Sequence, residues 1–169
     1  MALLVEVHSG PDHWLGSYGP LLVMYWLGII DPSVCRIVTK VARSFGAKQR
    51  GGQTSVVSVS FATTAPPSTE ARQALAALIR DTDHCVERLA VVREADGFTS
   101  AIVSSIMSAV QMLARPNAPH RYFRRLDEAI PWATATLHDF EFGEVKAAEA
   151  VEILNRQLEV IRTRYKSAS

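Results

Sequence analysis

Residues 56–77 read VVSVSFATTAPPSTEARQALAA, a strand that runs through a Pro-Pro break into a helix. Val57, Val59 and Phe61 alternate with Ser58 and Ser60, the period of two that a strand shows when one face is apolar and the other small and polar. Pro66 and Pro67 end that ladder. Ser68 stands where an N-cap belongs, and Ala71, Leu75, Leu78 and Ile79 give the helix that follows, to about residue 81, a single apolar stripe. A helix start just past the carboxyl end of a strand gathers unpaired N–H groups at the positive end of the helix dipole. That is where α/β folds hold anions or accept phosphate. Ser68 and Thr69, with Thr64 and Glu70 beside them, are therefore the candidate phosphoacceptor or partner-binding residues. A phosphate on either hydroxyl would face the free N–H groups, with Glu70 opposing it. The simpler role for Ser68 is that of a cap contributing about 1 kcal/mol to the helix.

The same alternation of strand and helix extends outward from this segment. Residues 3–7 form a short candidate strand, followed by a loop through Gly10, Pro11, Gly16, Gly19 and Pro20. Residues 21–30 are a continuous apolar run, the pattern of a strand covered on both faces. Asp31 caps a helix with Pro32 in its first turn; Val34, Ile37, Val38 and Val41 supply its buried stripe and Gly46 ends it. Residues 88–92 read as a third buried strand. Residues 98–114 read as a helix with Ile102, Ile106, Val110 and Leu113 inward and Ser104, Ser105 and Ser108 on its other sides. Residues 121–124 make a last short strand before a helix from Leu126. The order predicts an α/β fold: a mixed, mostly parallel sheet of four to five strands, with right-handed crossovers and helices packed on it.

Composition narrows the function. The chain has 169 residues, 48% of them hydrophobic, enough for the core of one ordinary domain. With 18 basic and 17 acidic side chains it lacks the basic excess that nucleic acid or an anionic membrane attracts. No nucleic-acid or membrane partner is expected. The amino terminus has no basic segment followed by a long apolar one, so the expected location is the cytoplasm. Cys35 and Cys85 lie far apart and read as two buried or half-buried free thiols.

Beyond residue 142 the composition turns to Glu, Ala, Lys and Arg. Ala147, Val151, Leu154, Leu158, Ile161 and Tyr165 follow a spacing of four, three, four, three and four. This is a short heptad-like seam. Two readings follow: an amphipathic helix docked on its own domain, or a homodimer helix using Val151, Leu154, Leu158 and Ile161. Residues 1–142 accordingly form the expected domain, with residues 143–169 as a docking or self-association helix.

The succession Gly28-Ile29-Ile30-Asp31, then Val56 to Phe61 as VVSVSF, then Ser68-Thr69-Glu70-Ala71-Arg72 at a helix start, resembles the STAS-like domains of sulfate transporters and anti-sigma factor antagonists. The closing run Tyr122-Phe123-Arg124-Arg125-Leu126-Asp127-Glu128-Ala129 is similar to the last strand and helix of bacterial STAS-like proteins. The resemblance covers residues 3–137. It implies that Ser68 and Thr69 occupy the place of a hydroxyl pair that a partner kinase phosphorylates to select a protein partner. Pro66 and Pro67 replace the usual approach to that motif, no Asp precedes Ser68, and Glu70 stands at the glycine position.

Catalytic and cofactor motifs are scarce. Gly51-Gly52-Gln53-Thr54 lacks the lysine and spacing of a phosphate loop and reads as a turn. Asp81-Thr82-Asp83-His84-Cys85 collects metal-ligand residue types at no recognised spacing, so His84 reads as a terminal helix cap. His8, Asp12 and His13 flank a Gly-Pro loop without a third defined ligand or nucleophile, and Trp14, Tyr18, Tyr25 and Trp26 read as core cover. The expectation is a non-enzymatic regulatory or interaction module with no cofactor or metal, binding a protein partner at the start of the Ser68 helix. Its rival is a small-molecule or lipid carrier, which requires an apolar cavity of ligand size beneath the helices, with the serine-lined helix from Phe98 as one wall. A hydrolase would need one of His8, His13, His84, His120 or His138 beside a serine in a cleft.

Overall fold

A computed structural model describes residues 4–61, 67–94, 98–137 and 144–168. Thr64 of the candidate site and His138 lie outside the described residues. The elements run β1 (Leu4–Gly10), β2 (His13–Tyr18), β3 (Leu21–Trp26), α1 (Pro32–Lys48), β4 (Thr54–Phe61), α2 (Thr69–Thr82), β5 (Val86–Glu94), α3 (Phe98–Ala114), β6 (His120–Phe123), α4 (Leu126–Thr134) and α5 (Glu144–Ala168). The six strands lie side by side in chain order. β1, β2 and β3 pair antiparallel, whereas β3, β4, β5 and β6 pair parallel.

The sheet is thus mixed, with six strands where four or five were expected. The additional strand is β2, inside the stretch whose glycines and prolines read as a loop. It pairs along its whole length with β3, from His13 opposite Trp26 to Tyr18 opposite Leu21. The apolar run at residues 21–30 ends as a strand at Trp26. Asp31 caps α1 as expected, accepting from Ser33 N at 2.6 Å, but Gly46 does not end that helix. A Cβ at Gly46 would come within 2.9 Å of Cys85 Cβ, so the glycine lets α1 cross close to the start of β5. Gly51 and Gly52, both at positive φ, form the turn into β4.

Each parallel step, β3–α1–β4, β4–α2–β5 and β5–α3–β6, advances one strand in the same direction. Right-handed crossovers then put α1, α2 and α3 on one face. There Leu15, Leu22, Met24 and Trp26 pack with Cys35, Val38, Leu75, Ile79 and Val110. The opposite face carries Trp14, Val23, Tyr25, Val57, Val59, Ala90 and Val92 and is covered by α4 and α5. Alternation along each strand feeds two cores, one on each side of the sheet.

The fourth and fifth helices close that second face. Arg88 Nη1 donates to the Trp132 carbonyl at 2.8 Å with its guanidinium 5.0 Å from the Trp132 ring, which pins α4 to β5. Leu154 and Leu158 of α5 are fully buried, Ile161 nearly so, and Val151 packs at their margin. Tyr25 donates its hydroxyl to the Leu154 carbonyl at 3.0 Å. The heptad-like spacing is therefore used inside the chain, and a self-association seam through Val151, Leu154, Leu158 and Ile161 would require α5 to leave the sheet.

Candidate functional site

At the start of α2, Ser68 is the N-cap: its hydroxyl accepts from Ala71 N at 3.1 Å and its carbonyl from Arg72 N at 2.9 Å. Hydrogen bonds from its own backbone and from Ser68 hold the Glu70 carboxyl below its ordinary pKa. Ser68, Thr69 and Glu70 are all exposed, grouped on one turn beyond the end of β4. Their geometry is that of a capped helix whose second hydroxyl, Thr69, stands open to solvent.

A cavity lies elsewhere, between the sheet and its α1–α2–α3 cover; at about 80 Å³ it is not the ligand-sized space expected of a carrier, and among the described residues α3 lines it with Met107 rather than with its serines. Its floor is built from Leu15, Leu22, Met24, Val56, Leu89 and Val91 on the four neighbouring strands β2 to β5; its roof is Val38 and Ala42 of α1, Leu75, Leu78 and Ile79 of α2, and Met107 of α3. It is smaller than the roughly 300–1,000 Å³ of drug-sized sites, and smaller than the roughly 150 Å³ apolar cavity that takes up benzene. Space of this size fits a few carbon atoms. The small Ser58 side chain in the middle of β4, between Val57 and Val59, leaves part of the gap, since a valine there would extend the floor upward.

The polar groups in the lining are mostly spent on the protein itself. Ser58 Oγ accepts from Trp26 Nε1 at 3.1 Å, and Thr82 Oγ1 donates to the Leu78 carbonyl at 2.8 Å. Asp83 Oδ1 accepts from the backbone amides of Asn117 and Ala118 at 2.9 and 3.0 Å, and its Oδ2 accepts from Asn117 Nδ2 at 2.7 Å. Burial raises the Asp83 pKa, but these hydrogen bonds and the nearby His120 outweigh it and the net shift is downward. Asp83 therefore stays a carboxylate at the β5–β6 end of the cavity. His120, at the start of β6, has its pKa lowered by burial, with Asp83 opposing.

Two clusters were not legible in the sequence as they stand. The Asp81–Cys85 run provides a clamp through Asp83, since its partners lie 34 and 35 residues away; His84 is exposed. His8 and His13 meet across the β1–β2 hairpin, with His8 Nδ1 2.8 Å from His13 Nε2. His13 is 5% exposed and its Nδ1 has no hydrogen-bond partner among the described residues. Burial first, then His8, lower the His13 pKa, and Asp12 opposes. Cys35 and Cys85 are both buried free thiols, the Cys35 pKa pushed up to about 11 by burial, which makes it a poor nucleophile at neutral pH. Among the described residues no three His, Cys, Asp or Glu side chains are grouped to hold a metal, and no helix is long and apolar enough to cross a membrane.

Comparison with protein-family models, with curated proteins and with solved structures finds no match for the chain.

Proposed function

We propose that this protein is a non-catalytic binding module that takes a short apolar group of a small molecule between its sheet and the α1–α2–α3 layer. The cavity of about 80 Å³ carries this reading, because it is bounded by apolar side chains from seven elements and its polar lining groups other than His120 are already hydrogen-bonded within the protein. A void of this kind costs stability when empty, of the order of 24 cal/mol per Å³ in core-cavity series, and a ligand that fills it recovers part of that. Ligand binding to the folded state raises stability by about 2.7 kcal/mol at a hundred times the dissociation constant. Thermal denaturation in the presence of xenon or short-chain organic molecules should therefore show a rising Tm. Ala42→Leu, which fills the roof of the cavity, should remove the response while the chain still folds. Equal Tm responses in the two proteins would place any binding elsewhere.

A second reading is supported by the exposure of Ser68 and Thr69 at the positive end of α2. In it the chain is a STAS-like regulatory module whose protein partner docks at this turn, with phosphorylation as the switch. Intact-mass measurement of the protein from its native host, beside Ser68→Ala/Thr69→Ala, tests it. A phosphate present on the wild type and lost in the double variant supports this reading; its absence from both removes the switch.

A further inference from the structure

The cavity has one polar group left over, and that group indicates which ligand the cavity takes. His120 Nδ1 lies 3.4 Å from Gln111 Nε2, and an amide nitrogen can only donate. With the amide turned this way, His120 Nδ1 is the acceptor. In the neutral ring the proton then sits on Nε2, which has no hydrogen-bond partner among the described residues although His120 lines the cavity. Its neighbour on the same wall, Asp83, is a carboxylate with both oxygens occupied by Asn117 and Ala118. His120 is thus the one polar lining side chain with a ring nitrogen unpaired among the described residues, and it stands beside a carboxylate that is already hydrogen-bonded.

Resting on the cavity reading above, we infer that the ligand is a small uncharged molecule whose apolar body fills the cavity and whose single acceptor oxygen, as in a ketone, aldehyde or ester, takes the hydrogen bond of His120 Nε2–H. Gln111 acts as a positioning residue that holds the donor tautomer. Asp83 repels carboxylates, so an anionic analogue of the same shape is rejected.

Three molecules of nearly one shape separate the contributions: 2-methyl-1-butene has no acceptor, 2-butanone has one, and propanoate carries a charge. Affinities are measured by titration calorimetry or by ligand-observed NMR on wild type, His120→Phe and Gln111→Leu. His120→Phe should weaken 2-butanone about tenfold, the effect of losing one hydrogen bond of roughly 1.4 kcal/mol, while 2-methyl-1-butene changes less than about twofold. Gln111→Leu should weaken 2-butanone alone, and propanoate should bind wild type at least tenfold more weakly than 2-butanone. If the alkene and the ketone lose affinity equally in His120→Phe, the donor role is overturned and the cavity reading stands. If neither binds wild type, the cavity reading itself fails. Long-range ¹H–¹⁵N spectra of wild type at pH 7.5 give an independent check that does not depend on the variants folding: a proton on His120 Nε2 is expected, and a proton on Nδ1 overturns the inference.

Discussion

His13 shows how one side chain couples burial to pH. Its ring is edge-linked to His8 through Nε2, while Nδ1 is buried against Gly10, where an added Cβ would sit 3.1 Å from that nitrogen. A second proton has no acceptor there. The folded pKa is therefore below the ordinary 6.5, and the unfolded chain takes up the proton first as pH falls. The stability that neutral His13 contributes is present above pH 6.5 and is lost as pH drops towards the folded pKa; His120, also depressed, acts in the same direction. Urea denaturation at a series of pH values should show stability falling below pH 6.5, with a shallower slope in His13→Phe and a still shallower one in His13→Phe/His120→Phe. Parallel slopes in all three proteins would contradict this. At Ser68 the expected effect is purely local: Ser68→Ala removes the bond to Ala71 N and should cost about 1 kcal/mol in the same assay. A loss below about 0.3 kcal/mol would mean that solvent caps α2 equally well.

Among the elements, legibility followed how local the pattern was. α2 was readable because its cap, Pro break and apolar stripe lie within the segment itself; α3 starts and stops at the residues the sequence indicated and buries Val110, but Leu113, read as inward, is 58% exposed. β2 was hidden because Gly16 suggests a loop. In the sheet that glycine has a packing reason: the Trp14 ring lies over it, and a Cβ would fall 2.1 Å from Trp14 Cη2. The Trp14 indole is held in this position by Nε1 donating to Glu6 Oε2 at 2.7 Å, and no local motif announces that contact. For α5 the periodicity was visible, but the surface it would meet was not. A spacing of four and three fits a partner helix and a sheet equally, and only the buried Leu154 and its bond from Tyr25 decide in favour of the sheet. Leu154→Ala should accordingly cost about 2–5 kcal/mol and speed amide exchange along α5. A change below about 1 kcal/mol with unaltered exchange would contradict a docked helix.

At the scale of the molecule, the layering follows from chain order, whereas the cavity does not. Three right-handed crossovers advancing in one direction oblige α1, α2 and α3 to share a face, and the apolar faces of α4 and α5 are left to cover the other. Element order was therefore enough to place the helices on the sheet. The cavity is what remains between side chains drawn from β2 to β6 and three helices, so no segment carries its signature; the closest hint was a serine, Ser58, between the valines of β4. The exposed turn at Ser68, which the sequence made conspicuous, shows the geometry of a cap. The proposed ligand site lies instead on the less conspicuous helix-covered face. The chain contains four methionines, of which Met24 and Met107 line the cavity while Met112, on the same helix as Met107, is 78% exposed. With ¹³C-methyl-methionine labelling, titration with 2-butanone or xenon should shift Met24 and Met107 together in a saturable way and leave Met112 in place. Saturable shifts confined to Met112, or none at Met24 and Met107 up to the solubility of the probes, would contradict a ligand site between the sheet and its α1–α2–α3 cover.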